Sequence, residues 1–187
     1  MMIRTFIAIE LPTEVKQVAR QIQNQLGESI EGIKWVKQEN LHLSVKFLGN
    51  VEENRINDIA TAVKNAVKES SVMNLKTGHW GAFPNEKSPR ILWLGLEGDV
   101  PDFIRMSKNC ESELAKLGYE IDARGNKPHI TIGRIRSSKK QKGMINILKD
   151  IPIESILFRV DELKVMRSEL NRNGAVYTNL QSVKLDK

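Results

Sequence analysis

Two short segments, His42-Leu43-Ser44-Val45 and His129-Ile130-Thr131-Ile132, lie almost half a chain apart and carry the same alternation of polar and apolar residues. Successive side chains of a strand point to opposite faces, so residues two apart share a face. Leu41, Leu43, Val45 and Phe47 should therefore form one apolar face packed on helices, with His42, Ser44 and Lys46 on the other. In the second segment Ile130 and Ile132 turn inward, while His129 and Thr131 emerge together. A chain that buries one face of two such strands must build a sheet covered on one side and open on the other.

The remaining pattern agrees with that requirement. Residues 3–10 alternate as a strand, with Phe6 and Ala8 on one face and Ile7 and Ile9 on the other. Pro12-Thr13-Glu14 then opens a helix with the stripe Val15, Val18, Ala19, Ile22 and Leu26, ended by Gly27. Residues 41–48 are a strand closed by Gly49-Asn50. Residues 53–68 form a helix with Ile56, Ile59, Ala60, Val63 and Val67 buried. Strands at 72–80 and 90–96 flank a loop at 81–89. Asp99 caps a helix running to about Leu117, with Phe103, Cys110, Leu114 and Leu117 inward and Gly118 past its end. A strand at 129–135, a basic helix begun near Ser138 with Met144 to Leu148, and strands at 156–165 and 175–183 complete the chain. Asn173-Gly174 marks a turn. The recurrence of helix, motif strand and helix predicts an α+β fold of two pseudo-symmetric lobes. Each lobe is an antiparallel sheet with outer helices, around a central cleft that carries the two motif strands, and residues 1–187 make one two-lobed domain.

Composition narrows the setting. Apolar residues make up 40% and charged ones 28%, a globular balance, and no apolar run approaches the roughly 20 residues that span a bilayer. The N-terminal stretch reads as a first strand and not a signal peptide. The single cysteine, Cys110, excludes an internal disulfide and an all-cysteine metal site, and fits a buried helix position. Cytoplasmic residence is the default expectation. A net charge of +6 raises the local concentration of phosphate-bearing partners.

A lone strand histidine is usually structural, but the paired motifs use two of only three histidines. Imidazole titrates near neutrality, so two of them can divide acid and base duties at one pH. The flanking hydroxyls of Ser44 and Thr131 are placed to donate to an anion. Because the motifs are nearly symmetric, the residues alone leave open which histidine is the acid. His79, next to Trp80, reads as structural. Trp35 and Phe83 suit either base stacking or the core, and Arg90 either the cleft or a strand end. Lys46 suits either anion steering or an exposed strand, and Lys139-Lys140-Gln141-Lys142 either an RNA backbone or a solvated face.

Taken in order, several segments carry a resemblance that runs nearly end to end. They are Arg4-Thr5-Phe6-Ile7-Ala8-Ile9 with Leu11-Pro12; Leu41-His42-Leu43-Ser44-Val45-Lys46-Phe47-Leu48-Gly49; Phe83-Pro84 followed by Pro89-Arg90-Ile91-Leu92-Trp93; and Pro128-His129-Ile130-Thr131-Ile132 with Arg134. The chain resembles the two-histidine phosphoesterase superfamily, in its RNA 2′,3′-cyclic phosphodiesterase branch, first described as 2′–5′ RNA ligases. Ser44 stands where that family more often has threonine. The resemblance implies a metal-independent hydrolysis of RNA 2′,3′-cyclic phosphate ends to a 2′-phosphomonoester. His42 would be the proton donor to the leaving 3′ oxygen, His129 the proton acceptor, and Ser44, Thr131 and Arg134 would contact substrate. No cofactor or metal is implied. The partner is RNA with a cyclic phosphate end, tRNA fragments included, and the chain is expected to be a monomer without membrane or protein partners. ATP-independent 2′–5′ joining of RNA ends and a non-catalytic RNA-binding module are the alternatives. Arg134 sets two lines of reasoning against each other. Strict alternation places it with Ile130 and Ile132, away from His129, whereas the family pattern has an arginine at this offset on the phosphate. A bulge or strand end at Gly133 would return it to the histidine face.

Overall fold

The computed structural model describes residues 1–27, 32–122, 125, 127–136, 144–172 and 174–186. Within them the chain runs β1 (Met2–Glu10), α1 (Thr13–Gly27), β2 (Ile33–Trp35), β3 (His42–Glu52), α2 (Ile56–Val67), β4 (Met73–Phe83) and β5 (Ile91–Gly98). It continues through α3 (Val100–Ala115), β6 (His129–Ile135), α4 (Met144–Asp150), β7 (Leu157–Val160), β8 (Glu162–Asn171) and β9 (Gly174–Lys184). The fold is α+β, as expected. Its strands are antiparallel and form one sheet in the order β7-β4-β5-β6-β3-β1-β8-β9, with β2 added to β6. The two expected lobes are the two halves of this sheet. They meet where β3 pairs with β6 at Leu43↔Ile130.

The apolar patterns explain these elements. Val15, Val18, Ala19, Ile22 and Leu26 all face inward from α1, and β1, which lies between β3 and β8, is buried on both faces from Thr5 to Ile9. Apart from Phe6 and Ala8, the buried apolar residues among those described form one cluster reaching from Ile3 to Leu185. α2 buries Ala62 and Ala66 in addition to Ile56, Ile59, Val63 and Val67, while Ala60 is only half-buried. A short helical turn at Glu53–Arg55 precedes it. Cys110 is fully buried, and burial pushes its thiol pKa up to about 12, so it stays protonated and packs as an apolar residue. Gly118, with φ +90°, ends the turn after α3. Among the described residues no helix is long and apolar enough to cross a membrane.

Four local expectations change. Gly49 does not end its strand: at φ +75° it carries a bulge, and β3 continues to Glu52. The loop after residue 80 begins later, since β4 extends to Phe83. The Asp99 carboxylate does not cap α3 but accepts from the Asn74 N–H at 2.8 Å, and the Asp99 carbonyl takes the first helical N–H groups. Residues 156–165 are not one strand. The chain leaves β7, paired to β4, passes Asp161 and enters β8, paired to β1 in the other half of the sheet. The beginning of the basic helix near Ser138, the run Lys139 to Lys142, and Asn173 lie outside the described residues.

Candidate active site

The pair Leu43↔Ile130 is the hinge of the site. Both side chains are fully buried, so the neighbours on each strand face the other way. Extended by one residue on either side, the register sets His42 across from Thr131 and Ser44 across from His129. The two motifs are thus related by a local twofold, and all four polar side chains are half-buried on the shared face.

Each imidazole is held in the same manner. The His42 Nδ1–H donates to the Asn40 carbonyl at 2.8 Å, and the His129 Nδ1–H donates to the Lys127 carbonyl at 2.7 Å. A carbonyl can only accept, so each neutral ring keeps its proton on Nδ1 and its lone pair on Nε2. Burial lowers the pKa of His42 below its ordinary value. The bond to Asn40 opposes that shift, and the positive charges of Arg134 and His129 add to it. His129 is lowered by burial first and then by Arg134, with the Lys127 bond opposing. Arg134 therefore acts electrostatically on both histidines.

That proximity resolves the conflict over Arg134. Leu92 pairs with Gly133 but Trp93 pairs with Thr131, so Ile132 is an extra residue and β6 bulges there. Ile132 and Gly133 are both buried, and an added Cβ on Gly133 would lie 2.8 Å from the Trp35 ring. One parity step is absorbed, and Arg134 returns, exposed, to the histidine side. Gln23 of α1 clamps the bulge, its Nε2 donating to the Ile132 and Val36 carbonyls at 2.8 Å each.

A second bulge works against expectation. Ile7 pairs with Lys46 and Ala8 with Ser44, so Val45 is extra in β3. Beyond it the faces exchange. Lys46, expected beside His42, is only 6% exposed, with its ammonium 2.5 Å from Glu111 of α3 and 2.6 Å from the Glu120 carbonyl. Phe47, expected in the core, is 64% exposed, with its ring 5.8 Å from Phe6.

Aromatic rings line both sides of the cleft. Phe6 lies 5.0 Å and Tyr177 5.3 Å from His42, centroid to centroid. Phe83 stands edge-on to His129 at 5.0 Å, and Trp93 is 6.3 Å away. Phe83 is therefore a wall of the site, whereas Trp35 packs on the helix side against Gly133 and Gly27. Arg90 serves a strand end: its N–H donates to Phe83 and its carbonyl accepts from Ile135. His79 is exposed and meets Trp93 edge-on at 5.4 Å.

Sequence reasoning missed Tyr177, Trp93, Asn40 and Gln23. Gln23 left one signal: it lies four residues after Ala19, a polar residue on the buried stripe. Asn40, 8% exposed, ties its side chain to the Ala175 carbonyl at 2.7 Å, a contact across most of the chain that no local pattern announces.

Known proteins agree with this architecture. A Thermotoga maritima protein named RNA 2′,3′-cyclic phosphodiesterase is 34% identical over 176 residues, covering 93% of this chain and 91% of that one. A Methanocaldococcus jannaschii protein of the same name is 32% identical over 177 residues, covering 93% and 96%. The crystal structure of a Thermus thermophilus protein superposes with TM-score 0.78 at 26% identity, covering 97% of each chain. Escherichia coli LigT complexed with 3′-AMP shares the fold, with TM-score 0.76 at 24% identity over 100% of both chains. The family model described as LigT-like phosphoesterase matches residues 9–93 and 96–177, and the chain belongs to that family.

Proposed function

We propose that this protein hydrolyses the 2′,3′-cyclic phosphodiester at RNA ends to a 2′-phosphomonoester, with the two imidazoles as acid and base. The observation that carries the reading is the matched pair of histidines, each with Nδ1 donated to a backbone carbonyl, on a shared face within the field of Arg134. His129 Nε2 takes a proton from water as its oxygen attacks phosphorus. The bond from phosphorus to the 3′ oxygen breaks, and His42 Nε2–H protonates that oxygen. The phosphate remains on the 2′ oxygen. Ser44, Thr131 and Arg134 receive the non-bridging oxygens, whose charge redistributes in the transition state. Proton transfer and charge stabilisation are thus both supplied by side chains, and the scheme needs no metal. The net charge of +6 favours encounter with an RNA anion, and relatives named for this activity support the substrate class.

The test is an oligonucleotide ending in a 2′,3′-cyclic phosphate, incubated in chelator with the wild type, His42→Ala and His129→Ala. The wild type should convert the end to the 2′-phosphomonoester alone, read by phosphorus NMR, and each variant should lose about 10²–10⁴-fold in kcat. Undiminished turnover in both variants would remove the mechanism. A parallel arm with a 5′-hydroxyl acceptor reads 2′–5′ joining, in which that hydroxyl replaces water as the attacking group at the same site and with which water competes.

A further inference from the structure

Beyond Trp93 the cleft continues into a cavity of about 680 Å³ that the acid–base scheme does not use. Its size falls in the range of small-molecule sites, roughly 300–1,000 Å³. His79, Trp93 and Gly81 form one side, and Asn85 and Lys87 of the following loop form another.

The strands make room for these rings. Gly81 pairs with Trp93, and a Cβ there would lie 2.1 Å from the indole, so the ring lies directly on the glycine. β4 carries one extra residue opposite Gly95, between Thr77↔Leu96 and Trp80↔Leu94, and a Cβ on Gly95 would sit 3.0 Å from the His79 ring. Gly95 itself pairs with His129. His129, Trp93 and His79 consequently stand in file, with ring centroids 6.3 Å and then 5.4 Å apart, leading away from the phosphate position. The far wall is held in place, since Asn85 Oδ1 accepts from the backbone N–H groups of Lys87 and Ser88. Its acidic member, Glu86, faces Lys149 at 4.0 Å, while Lys87 makes no ion pair among the described residues.

We infer that this cavity is a subsite for the nucleotide that precedes the cyclic-phosphate-bearing one on its 5′ side, with its base against His79 and Trp93 and the phosphate that joins the two nucleotides near Lys87. The inference rests on the phosphodiesterase reading. It commits to that nucleotide because an RNA chain whose 3′ end occupies the histidines continues only in the 5′ direction, and the file of rings starts at His129. Aromatic faces accept any base, so the subsite selects for chain length and not for sequence.

Steady-state kinetics on adenosine 2′,3′-cyclic phosphate and on the dinucleotide with the same end tests this. The wild type should show a KM at least about fivefold lower for the dinucleotide, the low end of base–aromatic stacking. His79→Ala should bring the ratio of the two KM values towards one, and His79→Phe should restore most of it. Lys87→Ala should flatten the salt dependence of kcat/KM for the dinucleotide by about 0.7 in log–log slope. A wild type with no preference for the dinucleotide, or a preference that survives His79→Ala, overturns the subsite while leaving the hydrolysis intact. Turnover of neither substrate by the wild type refutes the hydrolysis and the subsite together.

Discussion

Replacing Lys46 by methionine decides which face of β3 this residue serves. Its ammonium lies 2.5 Å from Glu111 and 2.6 Å from the Glu120 carbonyl, and the two paired side chains are 5% and 16% exposed. Methionine fills nearly the same volume but leaves the Glu111 carboxylate enclosed without its cation. Breaking a buried pair from one side costs about 3–5 kcal/mol, and the partial exposure of Glu111 favours the lower figure. For a chain of this size each kcal/mol moves Tm by about 2–4 °C, so a loss of about 3 kcal/mol lowers it by about 6–12 °C. The double variant Lys46→Met/Glu111→Leu should recover most of that loss, because a well-packed apolar pair often replaces a buried ion pair without penalty. Circular dichroism melts give the stabilities, and kcat/KM on a cyclic-phosphate oligonucleotide gives the function. At a temperature where every variant is folded, kcat/KM should not change, because Lys46 faces α3 and not the cleft. A raised KM with an unmoved Tm would refute the reasoning, since it would mean that the ammonium reaches substrate.

Two further expectations concern the histidines and their support. Burial and then Arg134 lower both imidazoles below the ordinary value of 6.5. The base must be neutral and the acid protonated, so kcat/KM against pH should be a bell centred below 6.5. Arg134→Gln should shift both limbs to higher pH and lower kcat by about 10²–10³, and a bell that stays in place would exclude Arg134 from the site. The same lowered values mean that the unfolded chain binds protons first, so stability contributed by these groups is lost as pH falls from 6.5 through the folded pKa values. Gln23→Met removes both bonds to the β6 bulge, costing about 1–3 kcal/mol by thermal melts. It should also weaken inhibition by inorganic phosphate as Arg134 loses its fixed place; phosphate inhibition equal to wild type would show that the bulge holds without the clamp.

Much of the site was legible in the chain itself because its key pairs are local. Alternation is a property of any strand, so His42 with Ser44 and His129 with Thr131 had to emerge together once Leu43 and Ile130 were buried. The α1 stripe and the α+β class followed from periodicity for the same reason. Parity beyond a bulge is different, because an extra residue is defined only against the partner strand. Val45 is extra relative to β1, and Ile132 is extra relative to β5. Those pairings exchanged Lys46 with Phe47 and brought Arg134 back to the histidines. The break at Asp161 has the same origin: 156–165 is extended and partly apolar throughout, and only the choice of partner, β4 or β1, divides it. Local sequence determined which side chains travel together, and the tertiary pairing decided which face of the sheet they reach.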